Sequence, residues 1–373
     1  MPVPLFDPAT PVRALRGALR EAVDEVLDSE HYILGSRGEA FEREFADYLG
    51  VPHAAGVANG TEAITIALRA LGVGPGDDVV VPSFTFWASA EAIPPTGARP
   101  VFCDVDPHTM CVTPETVKAA LTPNTKAVIA VHLFGNVAPV REIAALGVPV
   151  LEDSAQSAGS TARGGGRPGG LGTIATFSFY PSKNLGAFGD GGAITTTDAE
   201  LDARVRTLRF HGSEDKVTYT DVGYNSRLDE LQAAILRVQL PALDGWAAHR
   251  AQVGAWYAQE GLGELVTLPR ATDAADRVAW HLYVIGTEQP DALAAQLTER
   301  GVGARGYYRL PVHRQPAVEC LLAGGRAAVA PGGLPGTEEA ARRHLAIPIS
   351  AATTREQVAE VVAAVRDGLG ALG

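Results

Sequence analysis

The chain is poor in lysine, in cysteine and in long apolar runs. Its four lysines, Lys118, Lys126, Lys183 and Lys216, stand among 31 Lys plus Arg residues. Three cysteines (Cys103, Cys111 and Cys320) are odd in number and not spaced like metal ligands. That argues against a disulfide framework and suits a reducing compartment. No run approaches the ~20 apolar residues of a membrane span. Residues 1–17 lack the basic-then-apolar order of a signal peptide, so the expectation is a cytoplasmic protein with no membrane partner. The nine histidines are scattered, with no H-x-x-x-H pair to seat a helical metal site. A strand-linked G-x-G-x-x-G is also missing, which disfavours a dinucleotide-dependent oxidoreductase. A net charge of −12 disfavours nucleic acid as a partner.

The 373 residues suit about two domains. Strands are expected at Val79–Val81, Val101–Val105, Ala127–Leu133 and Val148–Leu151, with helical patterns between them. Such alternation implies an α/β fold with a mostly parallel sheet covered on both faces. Ligands then bind beyond the carboxyl ends of the strands. Helix starts are expected at Thr10-Pro11, Thr113-Pro114, Ser226 (with Asp229 completing a capping box) and Thr354 (with Gln357). The Gly-rich segment Thr161–Gly172 reads as a hairpin rather than a phosphate loop. A boundary is expected near Pro241–Trp246, dividing the chain into a large domain, 1–245, and a smaller α+β domain, 246–373.

Several chemically able residues fall at the expected strand ends. Asn59-Gly60-Thr61 starts a helix, where free N–H groups and the dipole favour an anion. Phe84 and Phe86 are two apart and would face one way if extended. Asp153 follows the Val148–Leu151 strand, and Ser178 ends the strand TIATFSFY. Lys183 lies among aromatic and Gly-rich residues with no acidic neighbour in sequence until Asp190. A desolvated lysine loses its proton readily and becomes a nucleophile able to form a Schiff base. An imine-forming lysine, an acid for a pyridine nitrogen, an aromatic for a ring face and a phosphate-binding helix start together match pyridoxal 5'-phosphate.

The blocks FSFYPSKNLGAFGDGG and VGYNSRLDELQAAIL, together with YILG, NGTEA, ALGVGPGDDVVVPSFTF, PVFCDVD, VHLFG, LEDSAQSAG and LPVHRQP, span nearly the whole chain. In these the sequence resembles the DegT/StrS-type nucleotide-sugar aminotransferases, a group of fold-type I pyridoxal-phosphate enzymes. The resemblance implies a large domain with a seven-stranded, mostly parallel sheet sandwiched by helices, a smaller C-terminal domain, and a homodimer with shared active sites. It implies that Lys183 is the Schiff-base lysine and proton shuttle, that Asp153 binds the pyridine nitrogen and that Gln156 contacts the ring's O3′ side. Phe86 would stack on the ring. Gly60, Thr61 and Ser178 would hold the phosphate, and Asn225 would reach the cofactor phosphate of the partner subunit. Tyr308 and His313 would contact sugar or nucleotide, and His132 would serve in the core or behind the site as readily as in catalysis. The implied reaction moves an amino group from L-glutamate, through pyridoxamine 5'-phosphate, to a nucleotide-linked keto-sugar. Relatives with histidine at the lysine position are sugar dehydratases, and lysine here favours transamination. The rival readings are a keto-cyclitol aminotransferase and a catalytically idle, cofactor-binding regulatory protein.

Overall fold

Strands with no polar face build the middle of the sheet. In the computed structural model, which describes residues 2–372, Val79, Val80 and Val81 of β2 (Asp78–Pro82) are completely buried. Continuous apolar strands of this kind are what a sheet covered on both faces requires. The other strands are β1 (His53–Val57), β3 (Arg99–Cys103), β4 (Thr125–Val131), β5 (Val150–Asp153), β6 (Thr161–Ala162), β7 (Ile174–Ser178), β8 (Gly192–Thr196), β9 (Ala275–Arg277), β10 (Tyr283–Gly286), β11 (Ala328–Val329) and β12 (His344–Ile347). The main sheet runs β1-β8-β7-β5-β4-β2-β3-β11. β8 is antiparallel to β1 and β7, and all other neighbours are parallel. Seven strands come from residues 53–196, as expected. The eighth, β11, comes from far downstream, in a stretch rich in Gly and Pro. It is only two residues long and pairs Ala328 and Val329 with Val101 and Phe102, too short to show any period.

Helices cover the sheet where their apolar stripes dictate. Gly60–Ala70 is buried almost throughout, and Ser36–Leu49 buries Phe41 and Phe45 in an aromatic cluster with Phe177 and Phe179. Arg16–Ser29 packs on Glu230–Gln239. A separate apolar cluster gathers Tyr257, Ile285, Leu293, Leu345, Val358 and Val361 around the β10–β12 pair, and Val3 joins it. Between Glu230–Gln239 and Leu243–Gln259 the chain passes through a single 3-10 turn, Leu240–Ala242, so Pro241–Trp246 holds no extended linker. No helix among the described residues is long and apolar enough to cross a membrane.

Some local expectations hold and others do not. Thr113 with Thr116 and Thr354 with Gln357 form capping boxes, and the Asn59 side chain caps its helix. At the N-terminus the helix begins earlier than Thr10, at Ala9, and Thr10 N–H goes to Asp7 Oδ1 (2.9 Å). Ser226 caps nothing. Its hydroxyl accepts from Ala58 N (3.1 Å), and Asp229 is the N-cap, accepting from Gln232 N. Phe84 and Phe86 part company because the backbone bends rather than extends between them. Phe84 is in the core, whereas Phe86 keeps 54% of its surface exposed.

Candidate active site

β5 and β7 run side by side, with Asp153 opposite Thr176, so their carboxyl ends open at one edge of the sheet. Asp153 is the last residue of β5 and Ser178 the last of β7. Beyond Ser178 the chain folds tightly: Lys183 N–H bonds Tyr180 O (2.8 Å) and Ala187 N–H bonds Phe179 O (2.7 Å). This turn carries Lys183 back over the sheet edge toward Asp153. The residue keeps some surface on the cavity, but protein surrounds its ammonium on most sides. Burial pulls its pKa down to about 8, against the opposing attraction of Asp153. The protonated form therefore still dominates at neutrality, but the free amine is far more abundant than in an exposed lysine.

Asp153 is itself 5% exposed. Its Oδ2 accepts from Ser89 Oγ (2.7 Å) and its Oδ1 from Ala155 N (3.2 Å), with Thr85 Oγ1 3.0 Å from the Ser89 hydroxyl. Ser89 had no signal in the sequence, being one of many serines outside a recognisable block. Across the cavity stands the N-terminus of Gly60–Ala70. Asn59 takes Glu62 N–H on its side chain (2.8 Å) and Ala63 N–H on its carbonyl (3.1 Å). The first two helical N–H groups, those of Gly60 and Thr61, are left for an external acceptor. Gly60 is required there by contact: a Cβ would stand 2.7 Å from Ser178 Cβ. Helix start and Ser178 thereby form one cradle.

Gln156 is held at both ends of its amide. Its Oε1 accepts from Phe134 N (2.8 Å) and its Nε2 donates to Tyr308 Oη (3.3 Å). Tyr308 stacks on Phe134 (5.9 Å between centroids) and meets Phe84 edge-on at 5.7 Å. Burial pushes its hydroxyl pKa well above the usual value. These groups bound a cavity of about 1140 Å³. Eight of the ten expected site residues line it, the exceptions being Asn225 and His313. Asn225 is exposed, bridged to Phe210. His313 stands behind the wall, its Nδ1 2.7 Å from Ser83 Oγ and its Nε2 3.3 Å from Glu338. Trp87 also lines the cavity.

The Gly-rich segment does something other than turn a hairpin. β6 pairs with β9, more than a hundred residues downstream, and not with β7. The loop after β6 wraps the buried Glu152 carboxylate, which accepts from Gly169 N (2.9 Å), Leu171 N (2.7 Å), Gly172 N (2.7 Å) and His132 Nε2 (2.9 Å). His132 Nδ1 accepts from Ala138 N (3.0 Å), which places the proton on Nε2. His132 thus braces β5 from behind the site. A carboxylate beside a run of glycines was the available signal, since small residues let several backbone N–H groups converge on one anion.

The profile of the DegT/DnrJ/EryC1/StrS aminotransferase family matches residues 14–366. A pleiotropic regulatory protein of Geobacillus stearothermophilus is 43% identical, covering 97% of this chain and 97% of its own length. A dTDP-3-amino-3,4,6-trideoxy-alpha-D-glucose transaminase of Streptomyces venezuelae is 44% identical, covering 98% of this chain and 96% of its own. Among solved structures, S. venezuelae DesV in complex with a ketimine intermediate superposes with a TM-score of 0.92 at 42% identity, over 98% of each chain. On this similarity along nearly its whole length, the chain belongs to the DegT/DnrJ/EryC1/StrS aminotransferase family.

Proposed function

We propose that the protein transfers the amino group of L-glutamate to the keto group of a nucleoside-diphosphate deoxyhexose, and that the keto group is at C3 of a dTDP- or UDP-linked sugar. The observation that carries the reading is Lys183: an amine with its pKa drawn down to about 8, on the wall of one cavity with Asp153 and a helix N-terminus. The name of the 44% identical transaminase supports the choice of a 3-amino sugar.

The family implies pyridoxal phosphate, and the residues present fit it. Gly60 leaves room that a Cβ would fill, and the N–H groups of Gly60 and Thr61 are free beside the Ser178 hydroxyl. These three would hold the phosphate. Asp153, anchored by Ser89, would hold the ring nitrogen and keep its proton in place. Gln156, its Oε1 already taken by Phe134 N, has only N–H groups to offer the ring oxygen. The exposed ring of Phe86 is free to cover one face. When bound, the cofactor supplies the carbonyl that receives the amino group and the ring that withdraws electrons from the α-carbon. Lys183 Nζ would take the donor's α-proton and hold it for return. Tyr308 would meet the sugar from the cavity wall. His313, turned toward Ser83 and Glu338, would reach substrate only if those bonds open. Asn225, exposed on one chain, would serve the cofactor phosphate of a second subunit in a homodimer.

The test is to load the enzyme with its amino form using L-glutamate, remove the donor, and add dTDP- or UDP-linked 3-keto-6-deoxyhexoses. Formation of the 3-amino sugar, seen by mass spectrometry, supports the reading. A second reading, a cofactor-binding regulator without turnover, is favoured by the name of the 43% identical relative. It predicts cofactor uptake but no amino sugar from any keto-sugar offered.

A further inference from the structure

Tyr308 reaches the cavity from a short arch, Arg305–Arg309, pinned at both ends to β12 and the helix before it. At one end the backbone makes the join. Arg305 N–H bonds Ala346 O (3.1 Å) and Ala346 N–H bonds Arg305 O (2.9 Å). At the other end a side chain makes it. Arg309 Nη1 donates to His344 O and, at 3.4 Å, to Ala341 O, at the carboxyl end of the helix Pro335–Arg343. Unpaired carbonyls and the negative end of the helix dipole favour a cation there. Arg309 Nε also donates to Asp291 Oδ1 (2.9 Å), but that side chain is 84% exposed, so the ion pair contributes little.

Tyr308 needs such a fastening. Its φ is +63°, in the left-handed region that is unfavourable for a bulky side chain. Among the described residues it is the one non-glycine with positive φ on the wall of this cavity. A backbone of that kind persists only where its surroundings over-determine it. On the cavity side, the Tyr308 ring stacks on Phe134 and meets Phe84, and the hydroxyl accepts from Gln156. On the other side, the next residue in the chain is the Arg309 clamp. Gly306 makes room for it: a Cβ there would stand 2.5 Å from Arg309 Cζ and Nε. The clamp does not satisfy Arg309 fully, because Nη2 is buried without an acceptor. A buried donor left unfilled beside a strained neighbour in a cavity wall marks a site more than it marks packing.

We propose that Arg309 is a positioning residue for Tyr308: by fastening the arch to the end of Pro335–Arg343, it holds the left-handed backbone that sets the Tyr308 ring and hydroxyl on the cavity wall beside Gln156. The proposal rests on the transamination reading and deepens it. The presentation of Tyr308 to the keto-sugar then depends on a side chain turned the other way, onto a helix end. Gln156 stays bonded to Phe134 N with or without Tyr308, so the reaction with L-glutamate depends on the clamp less than the reaction with the sugar does.

The experiment joins two readouts on the holoenzyme: alkaline titration of tyrosine by ultraviolet difference absorbance, and separate kinetics with L-glutamate and with the keto-sugar. The variants are Arg309→Met, Arg309→Lys, Gly306→Ala, Tyr308→Phe and the double variant Arg309→Met with Tyr308→Phe. In wild type, burial holds the Tyr308 hydroxyl well above the ordinary tyrosine value. The expected result is that Arg309→Met adds one tyrosine titrating near pH ~10, and that this addition vanishes when Tyr308 is replaced. KM for the keto-sugar rises by about tenfold or more, with a smaller change in the reaction with L-glutamate, and Arg309→Lys recovers part of the loss. Gly306→Ala pushes the guanidinium aside and has the same effects at smaller size. It carries the comparison should Arg309→Met not fold. In the double variant the two losses do not add. An unchanged tyrosine titration in both Arg309→Met and Gly306→Ala overturns the proposal. So do fully additive losses, which give Arg309 a role that does not pass through Tyr308. If the tyrosine is released but wild type forms no amino sugar, the positioning stands and the transamination reading falls. If wild type forms amino sugar and Tyr308 stays buried in the Arg309 variants, the reverse holds.

Discussion

Glu152 and Asp153 leave the same strand on opposite faces, and only one of them has its hydrogen bonds filled by the chain. Behind the sheet, Glu152 collects four donors from His132 and the loop Gly169–Gly172. On the cavity side, Asp153 collects two, from Ser89 and Ala155, and faces Lys183. Both carboxylates are buried. The saturated one can do nothing further and serves as a pin for β5. The partly filled one keeps acceptor capacity for a ligand, and the lysine opposite it has a softened proton. Burial alone therefore does not mark a functional acid; unfilled capacity beside a cavity does.

The sharpest way to break this comparison is to remove each charge in turn. Asp153→Asn is expected to slow the reaction with L-glutamate by about 10²–10⁴-fold while leaving the melting curve nearly unchanged. Glu152→Gln turns an amide N–H₂ toward N–H donors. It is expected to cost about 3 kcal/mol of stability in denaturant unfolding, with near-normal rates per folded molecule. If the two variants trade these phenotypes, the assignment of roles is wrong. Next in size, Gly60→Ala places a Cβ 2.7 Å from Ser178 Cβ. Cofactor affinity measured by equilibrium dialysis should then fall by about tenfold, equivalent to ~1.4 kcal/mol. The smallest effect is the most diagnostic of Lys183. Since its pKa is lowered to about 8 by burial, the free amine increases as pH rises through 8. Cofactor uptake by the apoprotein should accelerate across that point and then level off. The sign for stability is the same: between pH 8 and 10.5 the unfolded chain binds the proton more tightly, so this residue's contribution improves with rising pH. A profile rising only near 10.5 would show that Lys183 is not desolvated.

Much of this site is legible in the sequence because its residues sit where local patterns end. Asp153 and Ser178 close apolar strands, Asn59-Gly60-Thr61 opens a helix, and Lys183 stands out by the rarity of lysine. The part that is not legible depends on pairings between distant segments. The glycines of 164–166 and 169 have positive φ, as a hairpin turn would, yet the strand before them pairs with residues 275–277. Ser226 has the right spacing for a capping box but is claimed by Ala58 N. Arg250 reads as one more charge on a helix until tertiary packing buries it with no carboxylate partner among the described residues. Phe84 and Phe86 look equivalent until a bend sends one inward.

The central claim is that Lys183 is the amine around which the cavity is built. Its most direct test is the absorbance spectrum of the purified, cofactor-incubated protein, with and without L-glutamate, for wild type and Lys183→Ala. The account predicts a band near ~410–420 nm in wild type that moves to ~330 nm with glutamate, and no such band from the chain itself in the variant. A wild-type protein that takes up no cofactor, or whose band ignores every amino donor, would contradict it.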